Sequence, residues 1–294
     1  MSIFQAIAAF FKAFSGNVGT NNAPPTATQQ PEAPPEQTPA PAPYPSQPQQ
    51  VATPPVAAGD AVVVPTVNSA SGMQQYFALY TGEKITVADW EQAAKAIGCE
   101  ASVIKAFAHV EAPNSGFDSS NRPTILYERH VFSRCTAHQF DAAHPDISST
   151  KAYTTKKVDD AGTPIPATDR YNGVAQYARF AAAWALDQNA AIQACSVGKF
   201  QVLGENYKRV GFDFPKGFWS AACVSERMHL LKFFLPFALT ASASGHGTLR
   251  DALAQKNWAN AAYIYNGPGY KANNYDVKLK QAYDAINAGT LVII

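Results

Sequence analysis

The chain has 294 residues, enough for one large domain or two small ones, and its formal net charge is only +1. This balanced charge argues against a protein that binds nucleic acid through a strongly basic surface, so no nucleic-acid partner is expected. The four cysteines, at positions 99, 135, 195 and 223, form no Cys-x-x-Cys pair, which argues against a zinc ribbon or a thioredoxin-type motif. Free thiols among apolar neighbours are the expectation.

The first 16 residues are apolar at positions 3, 7, 10 and 14, a spacing that predicts a short amphipathic helix. This helix is too short to cross a bilayer, and it lacks the basic start of a secretory signal. Three interpretations stay open: a helix that docks on a partner protein, a helix at a membrane interface, or an atypical export signal. Residues 17–68 are rich in Pro, Ala and Gln, which predicts a disordered, semi-rigid linker. Residues 69–294 are expected to form the globular domain.

Most apolar segments of the globular part have helical spacing. Thr86 or Asp89 is placed to cap a helix that stops at Gly98. Residues 123–132 read as a short strand or hairpin arm that ends in a helix, and the polar residues 141–169 as a surface excursion that could rim a binding site. Further helices are predicted at 171–194, 226–235 (with Pro236 kinking or ending it), 249–253, 258–265 and 275–286. The predicted fold class is mostly α with a small β element.

The segment around Glu111 carries the first chemical signal. Ile104, Phe107 and Val110 recur at helical steps, and Glu111 lies seven residues after Ile104, which places its carboxylate on the same apolar side. A carboxyl group held against apolar surface has a raised pKa and can stay protonated near neutral pH, as a general acid must. The alternative is an ordinary helix-terminal glutamate that faces solvent.

Two further segments combine small residues with polar ones. Residues 196–204, Ser-Val-Gly-Lys-Phe-Gln-Val-Leu-Gly, follow the predicted long helix; the glycines would let the backbone approach a ligand, and Gln201 offers both a donor and an acceptor. Residues 262–270, Ala-Tyr-Ile-Tyr-Asn-Gly-Pro-Gly-Tyr, read as an aromatic helix end followed by a sharp turn. Each segment taken alone also has an ordinary structural explanation.

Taken in order, the helix-terminal Glu, the Ser-x-Gly-x-x-Gln turn and the Tyr-Asn-x-Gly segment resemble the superfamily of goose-type lysozymes and lytic transglycosylases. The resemblance is closer to the N-acetylmuramidase domain of modular phage and bacterial endolysins, and it covers roughly residues 86–288. Its other matching segments are Gly116-Phe117, residues 122–132 (Arg-Pro-Thr-Ile-Leu-Tyr-Glu-Arg-His-Val-Phe), residues 205–207 and residues 275–279. The chain departs from related patterns in having Ala112 directly after the glutamate and Val197 where relatives often have Trp.

The resemblance implies a peptidoglycan hydrolase in which Glu111 protonates the glycosidic oxygen between N-acetylmuramic acid and N-acetylglucosamine. Glu128 is the first candidate for a second catalytic carboxylate and Asp118 the second, although Glu128 could instead pair with Arg129 or Arg122. Substrate contacts are expected from a wider set of residues: Ser196, Gly198, Gln201, Tyr265, Asn266, Tyr127 and Asp118.

Two other functions stay open at this point. A lytic transglycosylase would need no second carboxylate and would leave 1,6-anhydro ends, and a non-catalytic module would bind peptidoglycan without cutting it. No metal or other cofactor is expected, because His109 and Glu111 are followed by no further set of metal ligands. The expected place of action is the bacterial cell wall, and the N-terminal helix and linker indicate a protein attached to a larger assembly, such as a phage particle or a secretion apparatus.

Overall fold

The structure is a computed structural model that describes residues 72–293. The predictions for residues 1–16 and 17–68, and the start of the globular part at residue 69, lie outside the described residues. Within residues 72–293 helices dominate and strands are short, so the predicted class, mostly α with a small β element, is confirmed. Over the same span, no helix is both long and apolar enough to pass through a bilayer.

The described residues form short helices joined by turns. The α-helices are α1 (Gln74–Phe77), α2 (Val87–Ile97), α3 (Ala101–Glu111), α4 (Arg129–Cys135), α5 (Gln176–Leu186), α6 (Gln188–Gln193), α7 (Pro215–Ala222), α8 (Glu226–Met228), α9 (Leu235–Thr240), α10 (Leu249–Ala254), α11 (Trp258–Asn266) and α12 (Tyr275–Asn287). A π-helix, His229–Phe234, joins α8 to α9. The strands are β1 (Ile125–Tyr127), β2 (Cys195–Val197), β3 (Val202–Leu203), β4 (Ser242–Ala243) and β5 (Gly247–Thr248).

The larger sheet is antiparallel, in the order β1–β2–β3. Ile125 pairs with Val197, which in turn pairs with Val202 on the other side. The pairing continues one step past β1, where the N–H of Glu128 donates to the carbonyl of Ala194 at 2.8 Å. The sheet therefore brings Glu128, at the end of β1, to the strand that leads into the turn at residues 198–201.

Helix α3 is the central helix of the described domain. Val103, Ile104 and Phe107 are fully buried, and their three- and four-residue spacing forms one continuous apolar stripe. Through this stripe and its flanks, α3 packs against α2 on one side and α12 on the other. Because Glu111 is the last residue of α3, this packing fixes where its side chain begins.

The predicted boundaries of α2 are confirmed. Thr86 is the N-cap, its hydroxyl accepts from the N–H of Asp89, and the Asp89 carboxylate accepts from the N–H of Thr86, which together form a capping box. Gly98 ends the helix at φ 85°, a left-handed conformation that glycine adopts without steric cost.

The prediction of one long helix over residues 171–194 is wrong. The chain forms α5 and α6, separated by Asp187, whose backbone is extended (φ −153°, ψ 111°). The carboxylate of Asp187 accepts from the N–H of Ala190 at 2.9 Å and so caps α6. Aspartate favours such caps over helix interiors, and this local preference interrupts an apolar spacing that continues on both sides.

Of the two alternatives predicted for Pro236, that it ends its helix is wrong, and that it kinks the helix stays a prediction. The π-helix directly precedes α9, and Pro236 lies in the first turn of α9. Because Pro236 has no N–H, it donates no hydrogen bond to the preceding helical turn. The helical path nevertheless continues through Pro236 to Thr240. The wider π turn places His229 and Phe233 in the core, both at most 1% exposed.

Candidate active site

Glu111 ends α3, and the next residue, Ala112, leaves the helix with φ −141° and ψ 84°. The glutamate is half-buried as a residue, but its Oε1 atom is inaccessible to solvent and has no hydrogen-bond partner among the described residues. Burial raises the pKa of Glu111 to about 8, because an apolar surrounding disfavours the charged carboxylate. The group is thus mainly protonated at pH 7.

Two side chains from other helices oppose the effect of burial on the pKa of Glu111. The amide of Asn266, at the end of α11, and the ammonium of Lys278, on α12, both lower the pKa of the carboxyl group. The Nδ2 atom of Asn266 is itself buried without a partner in hydrogen-bond geometry among the described residues. A buried amide nitrogen and a buried carboxyl oxygen therefore lie near each other, and neither has a hydrogen-bond partner among the described residues.

Tyr265 holds the end of α11 in place. Its hydroxyl donates to the carbonyl of Phe200 at 2.6 Å, and its ring packs against Phe107 with centroids 5.1 Å apart. Phe107 lies one turn before Glu111 on α3. The tyrosine therefore joins the glutamate helix, the 198–201 turn and the Asn266 segment, which explains why the three sequence motifs meet in space.

The side chain of Gln201 is used largely within the turn itself. Its backbone is left-handed (φ 50°), and its Nε2 donates to the carbonyls of Thr124 at 3.1 Å and Gly198 at 2.8 Å. With both amide protons engaged, the Oε1 atom is the one that can accept a hydrogen bond from a ligand. A non-glycine residue with positive φ carries backbone strain, a feature that clusters at functional sites.

Glu128 is the N-cap residue of α4 and lies directly after β1. Its carboxylate accepts the hydroxyl proton of Tyr171, with oxygen–oxygen distances of 2.8 and 3.1 Å. Burial raises the pKa of Glu128 to about 7, while Tyr171 and the guanidinium of Arg179 lower it. The Nδ1 atom of His130 is 3.4 Å away, but burial lowers the pKa of this histidine, so the pair is not a strong ion pair at neutral pH.

The alternative that Glu128 pairs with Arg129 or Arg122 is wrong. Arg129 pairs with Asp169, and Arg122 pairs with Asp118. The carboxylate of Glu128 is therefore bound by an uncharged phenol and stays available for chemistry.

The charges of both glutamates act on the phenol of Tyr275. The charges of Glu111 and Glu128 both raise the pKa of its phenol, and Glu111 is the largest cause. Tyr275 and Lys278 are three residues apart on α12 and so share a face of that helix.

Two buried arginines fix the excursion at residues 141–169 and the residues that follow it. Arg129 donates to the carbonyls of Lys151 and Pro145, and Arg179 to those of Thr168, Arg170 and Tyr171. Both guanidinium groups lie over the ring of Tyr153, at 4.7 and 3.8 Å from its centroid. This network holds Tyr171, which follows the excursion, at Glu128. That the excursion itself rims a binding site stays a prediction.

Sequence reasoning gave no role to Tyr171, Arg179, Tyr275 or Lys278. The last two lie in a segment that the resemblance marks, and their three-residue spacing on a helix is the signal that could have assigned them. No sequence pattern indicated a role for Tyr171, because it lies 43 residues from Glu128 and most of the chain between them is irregular.

Two predicted substrate-binding residues do not face a groove. Tyr127 is 0% exposed, and its hydroxyl donates to the carbonyl of Ile147 at 2.8 Å, so it belongs to the core. Gly198 is buried as well, and a Cβ atom there would lie 2.4 Å from the ring of His229. The close approach that Gly198 permits is made by an imidazole rather than by a ligand.

Asp118 has a structural role in a turn. Its carboxylate accepts from the N–H groups of Ser120 and Arg122 and from the guanidinium of Arg122, which closes the turn at residues 118–122. Ser196 is half-buried in β2, opposite Leu126 and Leu203. A contact of either residue with substrate stays a prediction.

Comparisons with known proteins agree with the sequence motifs. The family model described as N-acetylmuramidase matches residues 100–287. Among solved structures, the crystal structure of the Burkholderia AP3 phage endolysin is similar to this chain, with 32% sequence identity and a TM-score of 0.55. The similarity covers 71% of this chain and 72% of that endolysin chain. A search of curated proteins finds no match.

The electrostatic arrangement around Glu111 can be tested directly. Replacing Lys278 by Met should raise the pKa of Glu111 further above about 8, because this ammonium lowers it. Carbon-13 NMR titration of the side-chain carboxyl groups measures the change. Lys280→Met is the matched control, because Lys280 is exposed on the same helix and pairs with Asp284. Equal titration of Glu111 in the two variants would show that Lys278 does not set its pKa.

Proposed function

Because the chain belongs to the N-acetylmuramidase family, we propose that it is a peptidoglycan hydrolase in which Glu111 is the general acid. The bond cut is the β-1,4 glycosidic bond between N-acetylmuramic acid and N-acetylglucosamine. The observation that carries this proposal is the buried carboxyl group at the end of α3, with a pKa of about 8. Such a group holds its proton at neutral pH and can deliver it to a glycosidic oxygen.

The neighbours of Glu111 suit the second half of proton transfer. Once the carboxyl group has given up its proton, the resulting carboxylate must be stabilised in a poorly solvated place. The ammonium of Lys278 and the amide of Asn266 favour the charged form. Burial thus keeps the acid protonated before the reaction, and these two groups limit the cost of ionisation during it.

Glu128 is proposed as the second carboxylate. With a pKa of about 7 it is ionised over the upper neutral range in which Glu111 is still protonated. An ionised carboxylate can activate a water molecule or attack the sugar as a nucleophile, depending on its distance from the acid. The hydroxyl of Tyr171 orients it.

The polar groups around the carboxyl pair are proposed to bind the sugar units. The Oε1 atom of Gln201 can accept from the N–H of an acetamido group, and the amide of Asn266 can donate to a sugar oxygen. Tyr265 contributes by positioning, since its hydroxyl is already bonded to the backbone.

The general-acid role predicts a large loss in Glu111→Gln, which keeps the shape of the side chain but cannot donate the proton. We expect kcat/KM for peptidoglycan to fall about 10²–10⁴-fold, the usual contribution of general acid catalysis. The measurement is the release of soluble fragments from purified peptidoglycan. Glu91→Gln, at an exposed position of α2, is the matched control and should be as active as the wild type.

Mass spectrometry of the same digest identifies the reaction. Reducing muramic ends mean hydrolysis, and 1,6-anhydro ends would mean that the enzyme is a lytic transglycosylase. Undiminished lysis by Glu111→Gln would contradict the assignment of the acid. Binding without cleavage by the wild type would indicate a non-catalytic peptidoglycan-binding module.

The two carboxyl groups predict a narrow bell-shaped dependence of kcat/KM on pH. Activity should fall above about pH 8, where Glu111 loses its proton, and below about pH 7, where Glu128 gains one. Tyr171→Phe removes a hydrogen bond that lowers the pKa of Glu128, so the acidic limb should move upward while the alkaline limb stays in place. If neither Tyr171→Phe nor Glu128→Gln changes the acidic limb relative to the wild type, Glu128 is not a catalytic residue.

The N-terminal part is proposed to deliver the enzyme to the cell wall, with residues 1–16 docking on a phage particle or secretion apparatus and residues 17–68 as the tether. Deletion of residues 1–66 should leave the hydrolysis of purified peptidoglycan intact and abolish co-sedimentation with such particles from the producing cells. Unchanged co-sedimentation would contradict the docking role. Loss of binding to lipid vesicles instead would favour the membrane-interface interpretation.

A further inference from the structure

Lys199 is a buried cation at the C-terminal end of α3. The residue is only 5% exposed, and its Nζ donates to the carbonyl of Ala112 at 2.8 Å. Ala112 directly follows Glu111 and ends α3. A cation at the C-terminal end of a helix is favoured by the helix dipole, so this contact stabilises the end of α3 at the position of the glutamate.

The backbone of Lys199 is held as firmly as its side chain. Its N–H donates to the Nδ1 atom of His229 at 3.1 Å, while the Nε2 atom of His229 lies 2.7 Å from the carbonyl of Ala222. These partners require that Nδ1 accepts and Nε2 carries the proton, which is a neutral imidazole. Burial lowers the pKa of His229 to about 4, in agreement with this form.

Two glycines make room for this arrangement. A Cβ atom on Gly116 would lie 2.7 Å from the N atom of Lys199 and 2.8 Å from the Nδ1 atom of His229. The corresponding atom on Gly198 would lie 2.4–2.7 Å from the imidazole ring. The segment after Glu111 and the 198–201 turn thus both pack against the imidazole of His229. The hydroxyl of Thr124 also links the two segments, because it donates to the carbonyls of Gly116 and Gly198.

Glu226 balances the charge of Lys199 and binds the same segment. Its Oε1 accepts from the N–H of Gly116 at 2.7 Å and from the hydroxyl of Ser115 at 2.8 Å, and its Oε2 pairs with Lys84 at 3.2 Å. Burial lowers the pKa of Lys199, and the carboxylate of Glu226 opposes this effect. Neither group is used in the chemistry proposed above.

We propose that Lys199 is a positioning residue for Glu111: its ammonium fixes the end of α3, and His229 fixes Lys199. The inference rests on the proposed role of Glu111 as the acid. Lys199 acts through geometry, because the groups that lower the pKa of Glu111 are Asn266 and Lys278. A small displacement of a catalytic group is enough to slow a reaction considerably.

The test is Lys199→Met, which removes the ammonium and keeps most of the side-chain volume. We expect kcat on purified peptidoglycan to fall about 10- to 100-fold, the cost of a displacement of about 1 Å, with little change in KM. The alkaline limb of the pH profile should stay near 8, unlike in Lys278→Met, because the pKa of Glu111 is unaffected. Lys95→Met, the same change at an exposed position of α2, is the control.

A double-mutant cycle separates positioning from a general loss of structure. Once Glu111→Gln has removed the acid, Lys199→Met should reduce the residual rate no further, because it acts through the missing group. A proportional loss in both backgrounds, or a wild-type kcat in Lys199→Met, would overturn the inference. Full activity of Glu111→Gln would mean instead that the proposed function has failed.

A second pair of variants decides the matter if Lys199→Met does not fold. His229→Asn keeps an acceptor near the position of Nδ1 for the N–H of Lys199, whereas His229→Gln keeps only a donor near Nε2 for the carbonyl of Ala222. Both remove the same ring, so their melting temperatures should be similar. At equal folded fraction, His229→Asn should retain the higher kcat, and equal kcat values would contradict the positioning role.

Discussion

The described domain is arranged around one unfavourable burial, that of the Glu111 carboxyl group. Raising its pKa from 4.5 to about 8 costs roughly 5 kcal/mol of folding stability when the group is ionised, a large share of the stability of a domain. The cost is absent below pH 4.5, where the group is protonated in both the folded and the unfolded chain, and it grows as the pH rises to 8. The fold tolerates this because the apolar stripe of α3, which includes Ile104 and Phe107, is fully buried.

The end of α3 also has to stay in place although the chain becomes irregular directly after it. Side-chain hydrogen bonds from distant segments replace the helical ones. The carbonyl of Ala112 receives the ammonium of Lys199, and the N–H of Gly116 donates to Glu226. Because these partners are buried and ionic, leaving one of them unpaired would cost more than a surface contact could. The position of the end of α3 therefore depends on the segments at residues 84, 199 and 226–229.

Local preferences made much of the fold predictable. Thr86, Asp89 and Gly98 define α2 by capping chemistry, and the apolar spacing of α3 placed Glu111 on the buried side. Side chains along a strand alternate between its two faces. Applied to β1, this rule would have predicted that Tyr127 is buried in the core rather than in contact with substrate. Ile125 and Tyr127 share the buried face of the strand, whereas Leu126 points the other way. Asp187 was missed because apolar periodicity continues across it, and only its capping preference marks the break.

The residues that the sequence could not assign are those whose role depends on long-range contacts. Tyr171 is 43 residues from Glu128, and Lys199 is 87 residues from Ala112. No spacing rule applies over such distances. Gly198 shows how the same residue type supports two interpretations, since close approach by a ligand and close approach by His229 both require a missing Cβ.

The proposed division of roles between the two glutamates follows from what favours their charged forms. Glu128 is bound by the hydroxyl of Tyr171, a direct hydrogen bond that stabilises the carboxylate. Glu111 has an Oε1 atom without such a bond among the described residues. As the pH rises, Glu128 therefore ionises before Glu111, near 7 rather than 8. Two carboxyl groups whose environments separate their pKa values in this way are suited to act as base and acid respectively. The charges of both glutamates raise the pKa of Tyr275, so both act on the same phenol.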